Sequence, residues 1–261
     1  MENSSLIHPT AVIHPEAIIK KNVHVGAYSV IGKGVKLESG CVIGNHVTIS
    51  GDTFIDEETR IYHSASVGED PQDKKYDGED TKLYIGKRNL IREFCTINKG
   101  TAQDNGETVI GDDNWIMAYC HIAHDCRIGN QVILANNTTL GGHAEIDDCA
   151  VLGGATLVHQ FCKIGSHVMT AGGSGIQKDV PPFVITHGNF AVPVGINSEG
   201  LKRRGFNTEQ LSAIKRGYKI IYRQKNSIDQ ALVELKKLAI EENVVNLYID
   251  FISRSKRGLI R

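Results

Sequence analysis

Large aliphatic residues recur at every sixth position in the first quarter of the chain. The series has eleven members: Ile7, Ile13, Ile19, Val25, Ile31, Leu37, Ile43, Ile49, Ile55, Ile61 and Val67. The fourth residue after each aliphatic is small or β-branched, as at Ala11, Ala17 and Val23. Neither an α-helix, with a period of about 3.6 residues, nor a strand, with a period of about 2, gives this spacing. A period of six is typical of a solenoid in which three hexads form one triangular coil of about 18 residues.

The period breaks twice and then resumes. Aliphatic positions return in two further runs, first at Ile85, Ile91 and Ile97 and then from Ile110 to Ile176, where Thr170 is a weak step. The breaks cover about residues 68–84 and 98–109, and both are polar and rich in Asp, Gly and Lys. We expect them to be loops that leave the stack of coils. The first is the stronger functional candidate because it contains the dense polar cluster Gln72–Tyr76.

The pattern changes again near the C-terminal end. Val180-Pro181-Pro182 interrupts the hexads, so we expect the solenoid to occupy residues 1–182 and a connecting segment with a helical domain to occupy 183–261. From about Asn207 the apolar period becomes helical. Ser227 and Gln230 form a capping box at the start of a second helix, and a third follows at about residues 244–255. The fold class predicted is an all-β solenoid with a C-terminal α-helical domain.

Charge is distributed unevenly along the chain. The net charge is −1, which points neither to nucleic acid nor to a membrane surface, but residues 201–261 contain 14 Lys and Arg against 6 Asp and Glu. Such a basic segment favours an acidic partner, although solvated helix faces are the simpler interpretation.

Cysteine usage and hydropathy indicate a reducing, aqueous compartment. Five of the six cysteines stand at the small fourth position of a hexad and are expected to be buried: Cys41, Cys95, Cys120, Cys126 and Cys162. No CxxC pair indicates a disulfide framework or a metal site. Because no N-terminal signal and no apolar run of about 18 residues occurs, we expect a soluble cytoplasmic protein without integral membrane contact.

The eleven histidines concentrate in one part of the solenoid. The densest stretch is His121-Ile122-Ala123-His124-Asp125. Because adding 18 to a residue number moves one coil along the same face, His124 should lie below Gly142 and Asp125 below His143. The same arithmetic brings His159, Gln160 and Phe161 onto this patch.

A glycine stacked on a histidine suggests acid–base chemistry. The histidine can act as a general base, and the unobstructed glycine N–H can stabilise an oxyanion. Polar decoration of a solvent face is the structural alternative, and a zinc site is another, although no carboxylate–His–His arrangement follows from the spacing. A Ser or Cys nucleophile is disfavoured because no GxSxG motif occurs and the cysteines are buried. We therefore favour direct attack by a substrate hydroxyl or amine.

Several longer motifs carry a family resemblance over nearly the whole chain. They are His121-Ile-Ala-His-Asp-Cys126, Leu134-Ala-Asn-Asn137, Val158-His-Gln-Phe-Cys162, Gln177-Lys-Asp-Val-Pro-Pro182, Gly200-Leu-Lys-Arg-Arg-Gly-Phe206 and Arg257-Gly-Leu-Ile-Arg261. In these the chain resembles the UDP-N-acetylglucosamine O-acyltransferases of lipid A synthesis, a branch of the left-handed parallel β-helix acyltransferases.

The resemblance implies a role for each matching residue. The catalytic set would be His124 as general base, Asp125 orienting it, and Gly142 as oxyanion donor. The sugar pocket would be lined by Asp73, Lys75, His121, His143, His159 and Gln160, and the nucleotide would be held by Asn197, Glu199, Arg203 and Arg204. Gly172 and Phe190 would border the acyl chain, with the glycine leaving room for a long chain, although relatives carry His in place of Phe190.

The resemblance also implies partners. The donor would be a 3-hydroxyacyl chain on acyl carrier protein, the acceptor UDP-N-acetylglucosamine, and the assembly a homotrimer with its clefts between chains. It implies no cofactor and no metal. Three alternatives remain open: N-acyl transfer to an amino sugar, a metalloenzyme resembling γ-type carbonic anhydrase, and a solenoid that only binds.

Overall fold

A computed structural model describes residues 6–261, which form a triangular prism of stacked coils followed by helices. Each coil contributes one short strand to each of three sheets, because every hexad supplies one flat side and one turn. Sheet A contains Leu6–Ile7, His24–Val25, Val42–Ile43, Arg60–Ile61, Leu90–Ile91, Trp115–Ile116, Ile133–Leu134, Val151–Leu152, Met169–Thr170, Val184–His187 and Val192–Ile196. Sheet B contains Val12–Ile13, Val30–Ile31, Thr48–Ile49, Ser66–Glu69, Thr96–Asn98, His121–Ile122, Thr139–Leu140, Leu157–Val158 and Gly175–Ile176. Sheet C contains Ile18–Ile19, Lys36–Leu37, Asp52–Ile55, Lys82–Ile85, Glu107–Ile110, Arg127–Ile128, Glu145–Ile146 and Lys163–Ile164.

The strand register confirms the coil of 18 residues. Val42 pairs in parallel with Arg60, which lies 18 residues further along the chain. The spacing grows to 30 between Arg60 and Leu90 and to 25 between Leu90 and Trp115, because an insertion lengthens each of those coils. The fold is thus the left-handed parallel β-helix of hexapeptide repeats that the sequence predicted.

The two insertions are shorter than the breaks in the sequence pattern. Strands extend into both breaks, so the irregular segments are residues 70–81, called loop 1 below, and residues 99–106, called loop 2. Loop 1 follows Ser66–Glu69 of sheet B and precedes Lys82–Ile85 of sheet C. Loop 2 likewise joins sheet B to sheet C, so both loops leave the prism along one edge, called corner B–C.

The prism interior is filled by the periodic aliphatics. Ile31, Ile49 and Leu134 have no exposed surface, whereas Ile7 is 42% exposed because its strand is the first of sheet A in the described residues and pairs on one side only. The five cysteines expected to be buried are buried, and Cys149 is partly exposed. Small residues at the fourth position fit because the prism is narrow at its corners.

The turns between hexads have a backbone requirement that the hydrophobic pattern did not reveal. The third residue after each aliphatic commonly has a positive φ, as at Asp125 (59°), His143 (60°) and Phe161 (65°). These residues are not glycine, yet their backbone is held in this left-handed region because the stacked coils determine the path of the turn.

Sheet A continues beyond the boundary predicted at residue 182. Val184–His187 pairs in parallel with Met169–Thr170, and Val192–Ile196 returns antiparallel to it. Four α-helices follow: α1 (Ser198–Arg203), α2 (Thr208–Tyr222), α3 (Ile228–Glu241) and α4 (Asn246–Arg254), with a 3₁₀ turn at Asn243–Val245. The expected capping box of Ser227 and Gln230 begins α3, and Asn207 with Gln210 forms a second one at α2. None of the helices in residues 6–261 has both the length and the apolar character needed to cross a membrane.

Candidate active site

The histidine patch lies at corner B–C, the edge from which both loops leave. His121 is the outward residue of a sheet B strand, and His124 and Asp125 form the turn that follows it. One coil above, the backbone N–H of His143 donates to the carbonyl of His124 at 3.0 Å. The stacking predicted from the spacing of 18 is therefore confirmed for this patch.

His124 and Asp125 form a close pair. His124 Nδ1 lies 2.7 Å from Asp125 Oδ2. Because an ionised carboxylate can only accept, this contact assigns the proton to Nδ1 and leaves Nε2 as an acceptor. The Asp125 side chain is only 1% exposed and that of His124 is 13% exposed. The pair is thus preorganised, with the basic nitrogen of the imidazole available to a substrate.

Loop 2 holds Asp125 from the other side. The Thr101 N–H donates to Asp125 Oδ1 at 2.9 Å, and the Thr101 hydroxyl donates to Oδ2 at 2.7 Å. Burial raises the pKa of Asp125, but its hydrogen bonds to His124 and Thr101 outweigh burial and hold the pKa below its ordinary value. Sequence reasoning missed Thr101. The only signal for it was its place in the second break.

His143 is fixed by three neighbours. Its Nδ1 lies 3.1 Å from Asp104 Oδ2 of loop 2, and its ring stacks on Phe161 with centroids 4.4 Å apart. The same ring meets the His124 ring edge to face at 5.1 Å. A cavity of about 350 Å³ borders Asp125, His143 and Phe161 and extends to Arg127 and Glu145 of sheet C.

Gly142 meets the His124 ring where a side chain would be. A Cβ built on Gly142 would lie 2.7 Å from His124 Cε1 and 2.8 Å from Nε2, so only glycine fits without moving the imidazole. Within residues 6–261, no acceptor takes the Gly142 N–H. The His124 imidazole and a backbone N–H without an acceptor therefore lie side by side, as the spacing of 18 residues predicted.

The other predicted sugar-pocket residues share this corner. Burial lowers the pKa of His121, His124 lowers it further, and His121 Nδ1 contacts the Thr96 hydroxyl at 2.7 Å. His159 and Gln160 lie exposed in the turn above Gly142. In loop 1, Asp73 Oδ1 accepts the Lys75 N–H at 3.0 Å. No hydrogen bond or ion pair within residues 6–261 joins Asp73 or Lys75 to His124.

The predicted nucleotide residues lie at another edge of the prism, where sheet C leads to sheet A. Asn197 caps α1 by accepting the Gly200 N–H at 3.1 Å, and its Nδ2 donates to the His167 carbonyl. Arg204 Nη1 donates to Gln131 Oε1 at 2.9 Å. Glu199 pairs with Lys202 at 2.8 Å, and Arg203 is exposed. A single chain therefore does not gather these residues with His124.

The predicted acyl-chain residues lie away from corner B–C as well. Gly172 is exposed in a turn from sheet A to sheet B, where an added Cβ would meet the Gly154 carbonyl oxygen at 3.3 Å. Phe190 is 67% exposed in the connection between the last two strands of sheet A. Its neighbour Asn189 bridges to Gly175 of sheet B.

The fold and two family models define a class, the hexapeptide-repeat acyltransferases. A family model described as "Bacterial transferase hexapeptide (six repeats)" matches residues 16–51 and 107–142. A model described as "Udp N-acetylglucosamine O-acyltransferase; Domain 2" matches residues 179–260.

Similarity to individual proteins narrows the class to one family. The chain is 54% identical over 255 residues to the acyl-[acyl-carrier-protein]–UDP-N-acetylglucosamine O-acyltransferase of Thiobacillus denitrificans, covering 98% of this chain and 99% of that protein. It is 55% identical over 261 residues to the enzyme of the same name from Herminiimonas arsenicoxydans, covering 98% and 100%. The crystal structure of UDP-N-acetylglucosamine O-acyltransferase from Moraxella catarrhalis superposes with a TM-score of 0.96 at 44% identity, covering 98% and 99%. The chain therefore belongs to the acyl-[acyl-carrier-protein]–UDP-N-acetylglucosamine O-acyltransferase family, as its motifs indicated, and is an enzyme of that family.

Proposed function

We propose that this enzyme transfers a 3-hydroxyacyl chain from acyl carrier protein to the 3-hydroxyl of UDP-N-acetylglucosamine, by direct attack with His124 as general base. This is the first step of lipid A synthesis and is assigned to the cytoplasm. The observation that most supports this proposal is the 2.7 Å contact between His124 Nδ1 and Asp125 Oδ2, which fixes the His124 tautomer beside the unused Gly142 N–H.

The proposed steps use only groups of the chain and the two substrates. The sugar hydroxyl gives its proton to His124 Nε2 while its oxygen attacks the thioester carbonyl. Asp125 stabilises the imidazolium, and the Gly142 N–H donates to the carbonyl oxygen as it becomes negative. Collapse of the tetrahedral intermediate expels the carrier thiolate, which takes the proton back from the imidazolium. A positioned base contributes typically about 10²–10⁴-fold to the rate.

The separation of the two residue sets supports a site shared between chains. We propose a homotrimer in which corner B–C of one chain faces Asn197–Arg204 of its neighbour. Arg203 and Arg204 then suit the diphosphate, because a guanidinium group pairs bidentately with phosphate oxygens. The excess of 14 basic over 6 acidic residues in residues 201–261 suits an acidic carrier protein. Gly172 and Phe190 are assigned to the acyl chain, with both positions open to a ligand.

A metalloenzyme of the same fold is the second candidate, and one observation favours it. His124, Asp125 and His143 offer ligand atoms that all lie within 4.8 Å of one another, an arrangement that did not follow from the spacing in the sequence. Acyl transfer fits better because Asp125 Oδ2 already accepts from both the Thr101 hydroxyl and His124 Nδ1, and an ion would have to compete with both hydrogen bonds. Elemental analysis separates the two, since the metalloenzyme requires one tightly held ion per chain.

The test of the proposed function is His124→Ala, with His24→Ala as the control because His24 is exposed on sheet A. Turnover of hydroxyacyl carrier proteins of graded length with UDP-N-acetylglucosamine, and with its 3-amino analogue, is followed by product mass. We expect His124→Ala to abolish transfer with an unchanged melting temperature. Retained turnover in a folded His124→Ala protein rejects the mechanism.

A further inference from the structure

Residues 98–104, called the bridge segment below, touch both loop 1 and the catalytic pair. The segment begins at the last residue of the sheet B strand Thr96–Asn98 and runs into loop 2. No role for it follows from the resemblance or from the proposed mechanism. Asn98 and Lys99 make its contacts on one side, and Thr101 and Asp104 make those on the other.

On one side the bridge segment anchors the first residues of loop 1. Asn98 Nδ2 donates to the Asp70 carbonyl at 2.9 Å, and the Lys99 N–H donates to the Glu69 carbonyl at 3.2 Å. Lys99 Nζ pairs with Asp70 Oδ1 at 3.0 Å and lies 5.3 Å from the centre of the Tyr76 ring. The Lys99 side chain is only 13% exposed. Burial alone would lower its pKa, but its hydrogen bonds to Tyr76 and Asp70 outweigh burial and raise it.

These contacts bracket the sugar-binding part of loop 1. Asp70 stands before Asp73 and Lys75, and Tyr76 stands directly after them. The Tyr76 hydroxyl also reaches Asp70 Oδ1 at 3.2 Å and so closes the loop on itself. The Lys99 ammonium group, held between Asp70 and Tyr76, therefore restricts where Asp73 and Lys75 lie.

On the other side the bridge segment binds the Asp125 carboxylate and the neighbouring His143. Thr101 is 1% exposed and uses its N–H and its hydroxyl on the two oxygens of Asp125. Both bonds are charge-assisted and short, so they fix the plane of the carboxylate that orients His124. Further along the segment, Asp104 holds His143 Nδ1.

We propose that the bridge segment is the positioning element of the site, with Thr101 acting through Asp125 on the chemical step and Lys99 acting through loop 1 on sugar binding. This inference rests on the proposed function of the same site. Neither residue is assigned a contact with substrate. The two residues share one short stretch of backbone but contact different groups, Lys99 in loop 1 and Thr101 at Asp125, so each role can be tested by itself.

The first test is Thr101→Val, which removes the hydroxyl and keeps the shape and the backbone N–H. We expect kcat to fall about tenfold to a hundredfold, the equivalent of one hydrogen bond to a charged group, with an unchanged KM for UDP-N-acetylglucosamine. Thr101→Ser should restore kcat. Thr138→Val is the matched control, because the buried Thr138 hydroxyl donates to a backbone carbonyl, that of Ala135, at 2.7 Å. It should leave kcat unchanged.

A spectroscopic measurement makes this test independent of turnover. The Nδ1 proton of His124 in its bond to Asp125 should shift or broaden in the NMR spectrum of Thr101→Val and not in that of Thr138→Val. If Thr101→Val does not fold, Thr101→Ala takes its place with the same expectations. A wild-type kcat with an unshifted proton overturns the role of Thr101. Absence of acyl transfer by the unmodified enzyme would instead reject the proposed function, and the proton signal would still report on the positioning.

The second test is Lys99→Met, with Lys99→Arg as the conservative variant and Lys87→Met as the control at an exposed ion pair. We expect Lys99→Met to raise the KM for UDP-N-acetylglucosamine about tenfold while kcat stays within about twofold, since loop 1 loses its anchor and the catalytic pair does not. Lys99→Arg should recover most of the KM. An unchanged KM in Lys99→Met, or a loss confined to kcat, overturns the role of Lys99.

Discussion

Replacing Gly142 with alanine tests the stacking of a bare turn on the base. The added Cβ would lie 2.7 Å from His124 Cε1 and 2.8 Å from Nε2, whereas an ordinary contact between such atoms is about 3.5 Å. The His124 ring must therefore move by roughly 0.7 Å, which disturbs its hydrogen bond to Asp125. A displacement of about 1 Å in a reacting group can cost about 10²-fold. We expect kcat to fall about tenfold to a hundredfold, or about 1.4–2.7 kcal/mol in barrier.

The assay is steady-state acyl transfer with melting temperature measured in parallel. The KM for UDP-N-acetylglucosamine should change little, because no predicted nucleotide residue touches Gly142. Gly195→Ala is the matched control, since a Cβ there meets no atom within 4 Å, and it should keep full kcat. A Gly142→Ala enzyme with wild-type kcat and melting temperature would refute the reasoning, because the position of the His124 ring would then not limit the rate.

Three further predictions concern protonation, metal and the end of the prism. Burial raises the pKa of Asp125 but its hydrogen bonds hold it below normal, so its charge stabilises the fold above the unfolded pKa of about 3.9 and that contribution is lost as the pH falls through the folded pKa. Asp125→Asn should therefore show a smaller decline in melting temperature below about pH 4 than the unmodified enzyme, and an equal decline would contradict this assignment. Treatment with a chelator should leave turnover unchanged, and loss that is restored by zinc would favour the metalloenzyme. Asp179 is fully buried and accepts from the Lys163 N–H at 2.8 Å and the Ser255 hydroxyl at 2.6 Å, so it links the last coil to the segment that follows α4. Asp179→Ala should lower the free energy of unfolding, measured by urea titration, by about 3–5 kcal/mol. A change below about 1 kcal/mol would refute this linking role.

The winding of the prism could be read from the sequence because its period is enforced at every coil. Each aliphatic must face the axis, so one misplaced residue would leave a polar side chain in a narrow core. The same constraint explains why His124 and Gly142 could be stacked correctly from numbering alone. In a regular coil, the residue number therefore determines the face of the prism on which a side chain lies.

The contacts of the loops could not be read in this way. Thr101 and Asp104 belong to a segment without a period, so nothing in the sequence relates them to Asp125 and His143. The first break was the stronger functional candidate because of its dense polar cluster, yet the second break holds the buried carboxylate. The left-handed turns were also missed, because a hydrophobic pattern reports which side chains are buried and not the backbone angles of the residues between them.

The extra residues enter only at corner B–C, and the coils on either side of them remain in register. A change in the length or chemistry of loop 1 therefore leaves the strands that carry His124 where they are. Under the proposed role of loop 1, an exchange of residues 70–81 should therefore change acceptor binding without moving His124, provided that Lys99 keeps a partner in the new loop.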